Sequence, residues 1–155
     1  MKISQAHHNI LLILSLAAII LTSCIADPTD RDKFIGDYEG SYASYARMDV
    51  GMHYYEDTIS GNETFSIVYG DKDDEVIIIM ENLQVVGSVR GKKINFEKYT
   101  ITTEEDGQIA NTTYNMTAKM SDNIFTYTTN FYGTVLYEQS IFQITGVLTG
   151  KAVKK

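Results

Sequence analysis

The stretch TTYNMTAKM, residues 112–120, decides how the rest of the chain is interpreted. From Thr113 to Met120, apolar or aromatic side chains occupy the even positions, and polar ones occupy the odd positions. Successive side chains of a β-strand point to opposite faces, so this pattern predicts a strand with one buried face and one solvated face. The predicted buried face consists of Tyr114, Met116, Ala118 and Met120.

The same two-residue period recurs on both sides of this stretch, and no segment sustains a helical period. Residues 76–80 form a continuous apolar run, which predicts a strand covered on both faces. Near Gly146 the alternation weakens, and a bend or bulge is expected there. Strands are predicted at residues 34–42, 64–69, 76–80, 84–89, 93–97, 99–103, 112–120, 124–132 and 136–148.

Short polar segments separate these strands and contain the residues that tight turns favour. Turns are expected at residues 70–74, 90–92, 104–107 and 121–123. Short connections between many strands predict an all-β fold, an antiparallel meander of about eight to ten strands closed into a barrel. A β-sandwich is the alternative. The exception to the short connections is residues 46–62, which are predicted to form a long irregular loop.

The amino terminus predicts an export signal and an anchor. One positive charge at Lys2 precedes an apolar run at residues 10–21, which is too short to span a bilayer as a helix. Leu21-Thr22-Ser23-Cys24 resembles the lipobox of bacterial lipoproteins, which implies diacylglycerol on the Cys24 thiol and cleavage before Cys24. The alternative is an ordinary signal peptide with a chance cysteine or a buried thiol. The expected organisation is a signal peptide at 1–23, a lipidated tether at 24–33 and a β domain at 34–155.

Charge and cysteine content narrow the classes of partner. Removing Lys2 with the signal peptide leaves 12 basic against 20 acidic residues, a formal charge of −8. That balance argues against nucleic acid and against electrostatic docking on anionic lipid. Attachment to the membrane would then come from the acyl chains alone, on either face of the outer membrane. With a single cysteine, the chain cannot form an intramolecular disulfide.

Two family resemblances follow from short motifs. Residues 31–38, RDKFIGDY, resemble the opening of lipocalin-like domains, in which a turn of helix leads into a strand with Gly-x-Trp. Gly36-Asp37-Tyr38 occupies that motif, with tyrosine in place of tryptophan. Together with the lipobox, this opening resembles small lipocalin-like lipoproteins of Bacteroidetes. The resemblance implies a barrel fold and transfers no binding residue. Acidic residues soon after the cysteine, here Asp27, Asp30 and Asp32, are associated with surface export in that group, or form a solvated linker.

Catalytic and metal chemistry find little support in the sequence. His53 is the one histidine of the expected mature chain, and no nucleophile motif accompanies it. Residues 71–75 are acidic, but Val76 stands where a calcium-binding EF-hand loop needs glycine, so a solvated turn is favoured. We therefore expect no enzyme activity, no metal and no cofactor.

The tyrosines suggest binding instead. All eleven lie in the expected mature chain, and tyrosine combines a large contact area with a polar tip. Tyr38 and Tyr42 are predicted to be core. The predicted contact surface for a ligand or partner is the group in the 46–62 loop: Met48, Met52, His53, Tyr54 and Tyr55. The leading function is a non-catalytic binding module for a small apolar or glycan ligand. The alternative is a protein–protein module such as an accessory subunit or a protease inhibitor.

The barrel interior should discriminate between these two functions. An apolar cavity of roughly 300 Å³ or more favours a small ligand. A filled interior favours binding of a partner on the surface. The residues expected to fill it are Phe34, Tyr38, Phe65, Phe96, Tyr114 and Phe125.

Overall fold

The computed structural model describes residues 28–81, 83–105 and 107–155. Within these ranges, one short helix, α1 (Pro28–Asp32), precedes nine strands. The strands are β1 (Gly36–Val50), β2 (His53–Tyr69), β3 (Glu75–Met80), β4 (Leu83–Arg90), β5 (Lys93–Phe96), β6 (Tyr99–Glu105), β7 (Gln108–Ser121), β8 (Ile124–Tyr137) and β9 (Ser140–Lys154). The all-β prediction is confirmed.

All nine strands belong to one antiparallel sheet, in the order β5-β4-β3-β2-β1-β9-β8-β7-β6. Strand β5 also pairs with β7, through Asn95 opposite Thr117, so that eight strands form a closed ring of hydrogen bonds. Strand β6 pairs with β7 alone and lies outside that ring. The antiparallel meander closed into a barrel-like ring therefore agrees with the prediction.

The ring is filled at the end where α1 and Phe34 lie, which we call the closed end. Tyr38 stacks on Phe65 with 5.0 Å between ring centroids, and Phe125 lies 5.3 and 5.4 Å from these two rings. Aromatic contacts of this kind add to the stabilisation that burial provides. Three further aromatic residues belong to this core: Phe34, Phe96 and Tyr127. Its remaining residues are aliphatic or small: Ile67, Val76, Ile78, Val85, Val89, Ile94, Met116, Ala118, Met120 and Ala152.

At the opposite end, which we call the open end, the wall is incomplete. Strands β1, β2, β7, β8 and β9 have 14 to 17 residues, whereas β3, β4 and β5 have 4 to 8. Strand β2 pairs with β3 only through Ser66–Tyr69. Beyond that point the sheet continues as six strands in the order β2-β1-β9-β8-β7-β6, with β2 and β6 at its edges.

The predicted loop at residues 46–62 is wrong. These residues form the long arms of the β1–β2 hairpin, whose register is unbroken from Gly36 opposite Ile67 to Val50 opposite His53. Gly51 and Met52 make the connecting turn, and Gly51 has a φ of 61°. Residues 51–60 are all exposed, so their sequence has no buried face to show a two-residue period.

The end of the chain is also divided differently from the prediction. The turn between β8 and β9 lies at Glu138 and Gln139, and Gly133 continues β8. A Cβ at Gly133 would lie 2.1 Å from the backbone oxygen of Asn111, so glycine there permits close strand approach. Gly146 likewise sits in unbroken pairing, against the ring of Phe131, and no bulge occurs.

Other differences are smaller. Phe34 is buried but precedes β1, and in β3 only one face is fully buried, through Val76 and Ile78. Residues 28–32 of the predicted tether form α1, which is held to the barrel by Arg31, whose guanidinium donates to the backbone oxygen of Lys72 at 2.6 Å. The predicted turns at 70–74, 90–92 and 121–123 are confirmed, although Arg90 ends β4 and Ser121 ends β7. The predicted turn at 104–107 is wrong for Glu104 and Glu105, which belong to β6, whereas Gly107 does lie in a turn. Cys24 lies outside the described residues.

Candidate binding site at the mouth of the barrel

The five residues predicted as a contact surface do not form one surface. They lie at the tip of the β1–β2 hairpin, where side chains alternate between the two faces of the sheet. Met48 and Tyr55 are direct cross-strand partners on the inner face, which is the face that also carries Tyr38 and Phe65. His53 shares that face, Tyr54 points outward, and Met52 occupies the turn with 98 % of its surface exposed.

The outward residues of this hairpin satisfy one another. The Arg47 guanidinium lies 4.4 Å from the ring centroid of Tyr54 and bonds to Asp49 at 2.8 Å. The Tyr45 hydroxyl donates to a Glu56 carboxylate oxygen at 2.6 Å. Exposed pairs of this kind contribute little to stability. We therefore interpret the outward face of this hairpin as ordinary solvent-exposed surface.

The inner face contains a polar pair that the sequence analysis missed. Glu63 on β2 accepts a hydrogen bond from the hydroxyl of Tyr127 on β8 at 2.5 Å. Strands β1 and β9 lie between these two strands in the sheet, so the bond crosses the interior. Glu63 is half-buried, and Tyr127 is 7 % exposed. The signal was present: continuing the alternation of Phe65 and Ile67 back by two residues places Glu63 inward.

Burial decides the ionisation of this pair. Burial raises the pKa of Glu63, and the hydrogen bond from Tyr127 opposes that rise with a smaller effect. The pKa of Tyr127 is raised first by burial and then by the Glu63 carboxylate. Tyr42 and Tyr99 lie near enough to raise the pKa of Tyr127 further. A carboxyl that titrates closer to neutrality than usual therefore faces tyrosine hydroxyls.

Three more tyrosines surround this pair. The rings of Tyr99 and Tyr114 stack with 5.1 Å between centroids and 11° between planes. Burial raises the pKa of Tyr99 to about 12. Tyr42 is half-buried, and its hydroxyl would lie 3.0 Å from a Cβ built at Gly61, so glycine there leaves room for the ring. We call the five inward residues the mouth cluster: Tyr42, Glu63, Tyr99, Tyr114 and Tyr127.

The tyrosines predicted as core divide between core and mouth. Tyr38 is 1 % exposed, and its hydroxyl donates to the backbone oxygen of Phe34 at 2.6 Å. Burial raises its pKa to about 12. Tyr42 lies four residues further along β1, where the ring passes into the open end. The core prediction is confirmed for Tyr38, while Tyr42 only borders the core.

A recess of about 470 Å³ adjoins the mouth cluster, where β2 leaves β3. Met80 and Leu83 supply its apolar wall. Its polar wall consists of Glu39, Tyr42, Asn62, Glu63, Thr64 and Glu81. A larger recess of about 580 Å³ lies over β5, β7 and β8 and is lined mostly by outward lysine and threonine side chains. The smaller recess has the more distinctive chemistry, because it joins a half-buried carboxyl to apolar surface.

The acidic turn at residues 71–75 is satisfied locally. A carboxylate oxygen of Glu75 accepts from the backbone amides of Asp71 and Lys72 at 3.0 and 3.3 Å, and Glu75 pairs with the Lys72 ammonium at 3.2 Å. These bonds form within a turn whose residues 71–73 are exposed, as predicted. Within residues 28–81, 83–105 and 107–155, no three His, Cys, Asp or Glu side chains are grouped to hold a metal.

In the same part of the chain, no helix has the length and hydropathy needed to cross a membrane. Comparison with protein-family models, with curated proteins and with solved structures finds no match to this chain.

Proposed function

We propose that this chain is a lipid-anchored envelope protein that acts as a non-catalytic binding module for a small apolar or glycan ligand. The observation that supports it best is the inward Glu63–Tyr127 pair beside a recess that combines polar side chains with the apolar Met80 and Leu83. Ligand sites combine apolar lining with a few convergent polar groups in this way.

The mouth cluster suits a ligand that has both hydroxyl groups and an apolar face. The Glu63 carboxyl and the tyrosine hydroxyls can exchange hydrogen bonds with ligand hydroxyls. The rings of Tyr99 and Tyr114, already stacked on each other, offer flat apolar surface for a sugar ring or an aliphatic chain. Met80 and Leu83 add apolar surface in the recess beside Tyr42 and Glu63.

The anchor in this proposal is the acylated Cys24, on the outer membrane. Two or three acyl chains hold a protein stably at a bilayer, whereas one chain binds marginally. The acidic domain would be repelled by anionic lipid, which keeps the binding module away from the bilayer surface.

The filled closed end favours a second candidate, a protein–protein module such as an accessory subunit or an inhibitor. Five aromatic residues expected to fill the interior do so, at 0 to 6 % exposure: Phe34, Tyr38, Phe65, Phe96 and Phe125. Tyr114, the sixth, is half-buried at the mouth. A small ligand would therefore be confined to the mouth, while a protein could use the whole open end.

Native mass spectrometry of the full chain, purified from its own envelope in mild detergent, tests the proposal. A small molecule that accompanies wild type, and is reduced at least tenfold with Tyr127→Phe or Glu63→Gln, supports the ligand proposal. Tyr132→Phe is the matched control, because Tyr132 is 54 % exposed on the outer face. A stoichiometric protein partner, with no small molecule, supports the second candidate. If nothing accompanies the protein, a glycan array probed with the same material decides, and an array without binding overturns the ligand proposal.

A further inference from the structure

The edge of the sheet formed by residues 53–65 of β2 is unusually accessible. Among the described strands, these residues pair with β1 on one side and with none on the other. Natural sheet edges are commonly protected by lysine or proline, or by inward charges. This edge contains no lysine, arginine or proline. Its inward charges are the carboxylates of Asp57 and Glu63, and it leaves 65 % of Tyr55 and 56 % of Ile59 exposed on the same inner face.

The pairing pattern shows how much of the wall is missing. At the closed end, β3, β4 and β5 connect β2 to β7. At the open end, β6 takes the place of β5 beside β7, from Tyr99 opposite Tyr114 to Glu105 opposite Gln108. Nothing there corresponds to β3 and β4 among the described residues. Two added strands, such as a hairpin, would close the ring along its whole length.

Much of the surface that such strands would cover is apolar. Several inward side chains at the open end are only half-buried, and no described strand closes over them. They are Met48, Val50, Ile101, Phe142 and Ile144, which lie beside the buried Phe131 and Val135. Covering apolar surface of this kind favours association by roughly 25 cal/mol for each Å² removed from water.

The charged residues around the open end indicate which charge its partner should have. Six described acidic residues lie in residues 43–62, 100–113 and 132–147: Asp49, Glu56, Asp57, Glu104, Glu105 and Glu138. The one basic residue of these segments, Arg47, is already paired with Asp49. A second copy of this chain would oppose acidic residues to acidic residues, which disfavours pairing along this edge.

We infer that the open end binds a basic, extended segment of another protein, which adds to the β2 edge as a strand. Backbone hydrogen bonds to residues 53–65 provide affinity, alternate apolar side chains cover the inner face, and lysine or arginine side chains meet the acidic rim. This site shares only Glu63 with the mouth cluster, near the closed-end limit of the edge, and does not depend on a small ligand. If the protein–protein alternative is correct, the inference states the chemistry of its partner.

The test uses the full chain in detergent and a fluorescein-labelled peptide, Lys-Val-Thr-Ile-Lys-Val-Thr-Tyr-Lys, with fluorescence anisotropy as the readout. The matched peptide has glutamate in place of each lysine. Binding of the lysine peptide that is at least tenfold tighter than that of the glutamate peptide, and that weakens with added salt, supports the inference. Equal binding of the two peptides, or no binding of either, overturns it.

Variants locate the site. Asp57→Lys combined with Ile59→Lys places positive charges on exposed inward positions of the edge and should weaken the lysine peptide at least tenfold. Val153→Lys, at a residue that is 53 % exposed on β9 at the closed end, should leave binding unchanged. Hydrogen exchange should show new protection within residues 53–65. Protection elsewhere, or dimerisation of the chain that Ile59→Lys abolishes, would overturn the assignment of the occupant. Tyr127→Phe, which tests the mouth cluster, should not change the binding of the lysine peptide.

Discussion

Tyr127 and Glu63 are 64 residues apart in sequence and share a hydrogen bond of 2.5 Å across the barrel interior. The bond joins β8 to β2, two strands that do not pair with each other. A half-buried carboxyl is therefore held at the point where the filled closed end gives way to the open end. The protonation state of Glu63 therefore affects both the stability of the fold and the hydrogen bonds that the mouth cluster can form.

Glu63→Gln should alter stability in a pH-dependent way. Since burial raises the pKa of Glu63 above its ordinary value of 4.5, folding favours the protonated carboxyl. The stability contributed by that proton is fully present below about pH 4.5 and is lost as pH rises through the pKa of the folded chain. The glutamine variant has no such loss, so its free energy of unfolding relative to wild type should increase between pH 4 and pH 7. Urea titrations at both pH values measure this, with Glu104→Gln as the control for net charge. A pH-independent difference would contradict the assignment.

Tyr38 should be among the residues most sensitive to truncation. Its ring stacks on Phe65, and its hydroxyl bonds to the backbone oxygen of Phe34. Tyr38→Ala should lower the free energy of unfolding by about 3–5 kcal/mol, because it empties a buried site. Tyr38→Phe should cost about 1–3 kcal/mol, because it leaves a buried carbonyl without its partner. Denaturant unfolding followed by circular dichroism tests both, and exposed Tyr132→Phe should change stability by less than about 0.5 kcal/mol.

Gly150 should tolerate no side chain while Tyr127 is present. A Cβ at Gly150 would lie 2.1 Å from the Tyr127 Cζ atom, and the bond to Glu63 restrains that ring. Gly150→Ala should cost about 1–3 kcal/mol. In a Tyr127→Ala background the same change should cost much less, because the obstructing ring is gone. A double-mutant cycle from urea unfolding measures the coupling, and additive effects would mean that the two residues do not compete for space.

Substitution in the turn between β8 and β9 should increase the stability of the protein. Glu138 and Gln139 have φ values of 45° and 69°, which non-glycine residues other than asparagine and aspartate seldom adopt. Replacing them with Asn-Gly, the sequence that such two-residue turns prefer, should stabilise the protein by about 1 kcal/mol. The same replacement at Asp122 and Asn123 should have a smaller effect, because those residues already suit their φ values of 50° and 65°. Thermal unfolding of both variants checks the order.

Cys24→Ser tests the anchor. Expressed in a didermic bacterium, wild type should partition into detergent and carry acyl mass on the chain that begins at Cys24. The serine variant should remain unacylated and stay in the aqueous phase. Intact mass spectrometry with detergent partition measures both, and a water-soluble wild type without acyl mass would remove the anchor from the proposal.

The sequence by itself determined the strands and most of the turns, because both are local properties. Alternation at residues 112–120 depends only on which face of a strand is buried, and it matches β7. Gly91 and Gly107 mark turns because their φ values of 60° and 77° suit glycine. The prediction was wrong where the local sequence lacked such a signal. This was so in the turn at Glu138 and Gln139 and in the exposed hairpin at 46–62.

Only the tertiary structure decided where the candidate sites lie. Glu63 faces Tyr127 because β2 and β8 lie across a closed ring from each other. The sequence of neither strand specifies the order in which the strands pair. The open end exists because β1 and β2 are longer than β3 and β4, so that no strand among the described residues covers their inner face there. Periodicity tells which side chains share a face, but pairing between distant strands decides what that face meets, because the partners are brought together only when the ring closes.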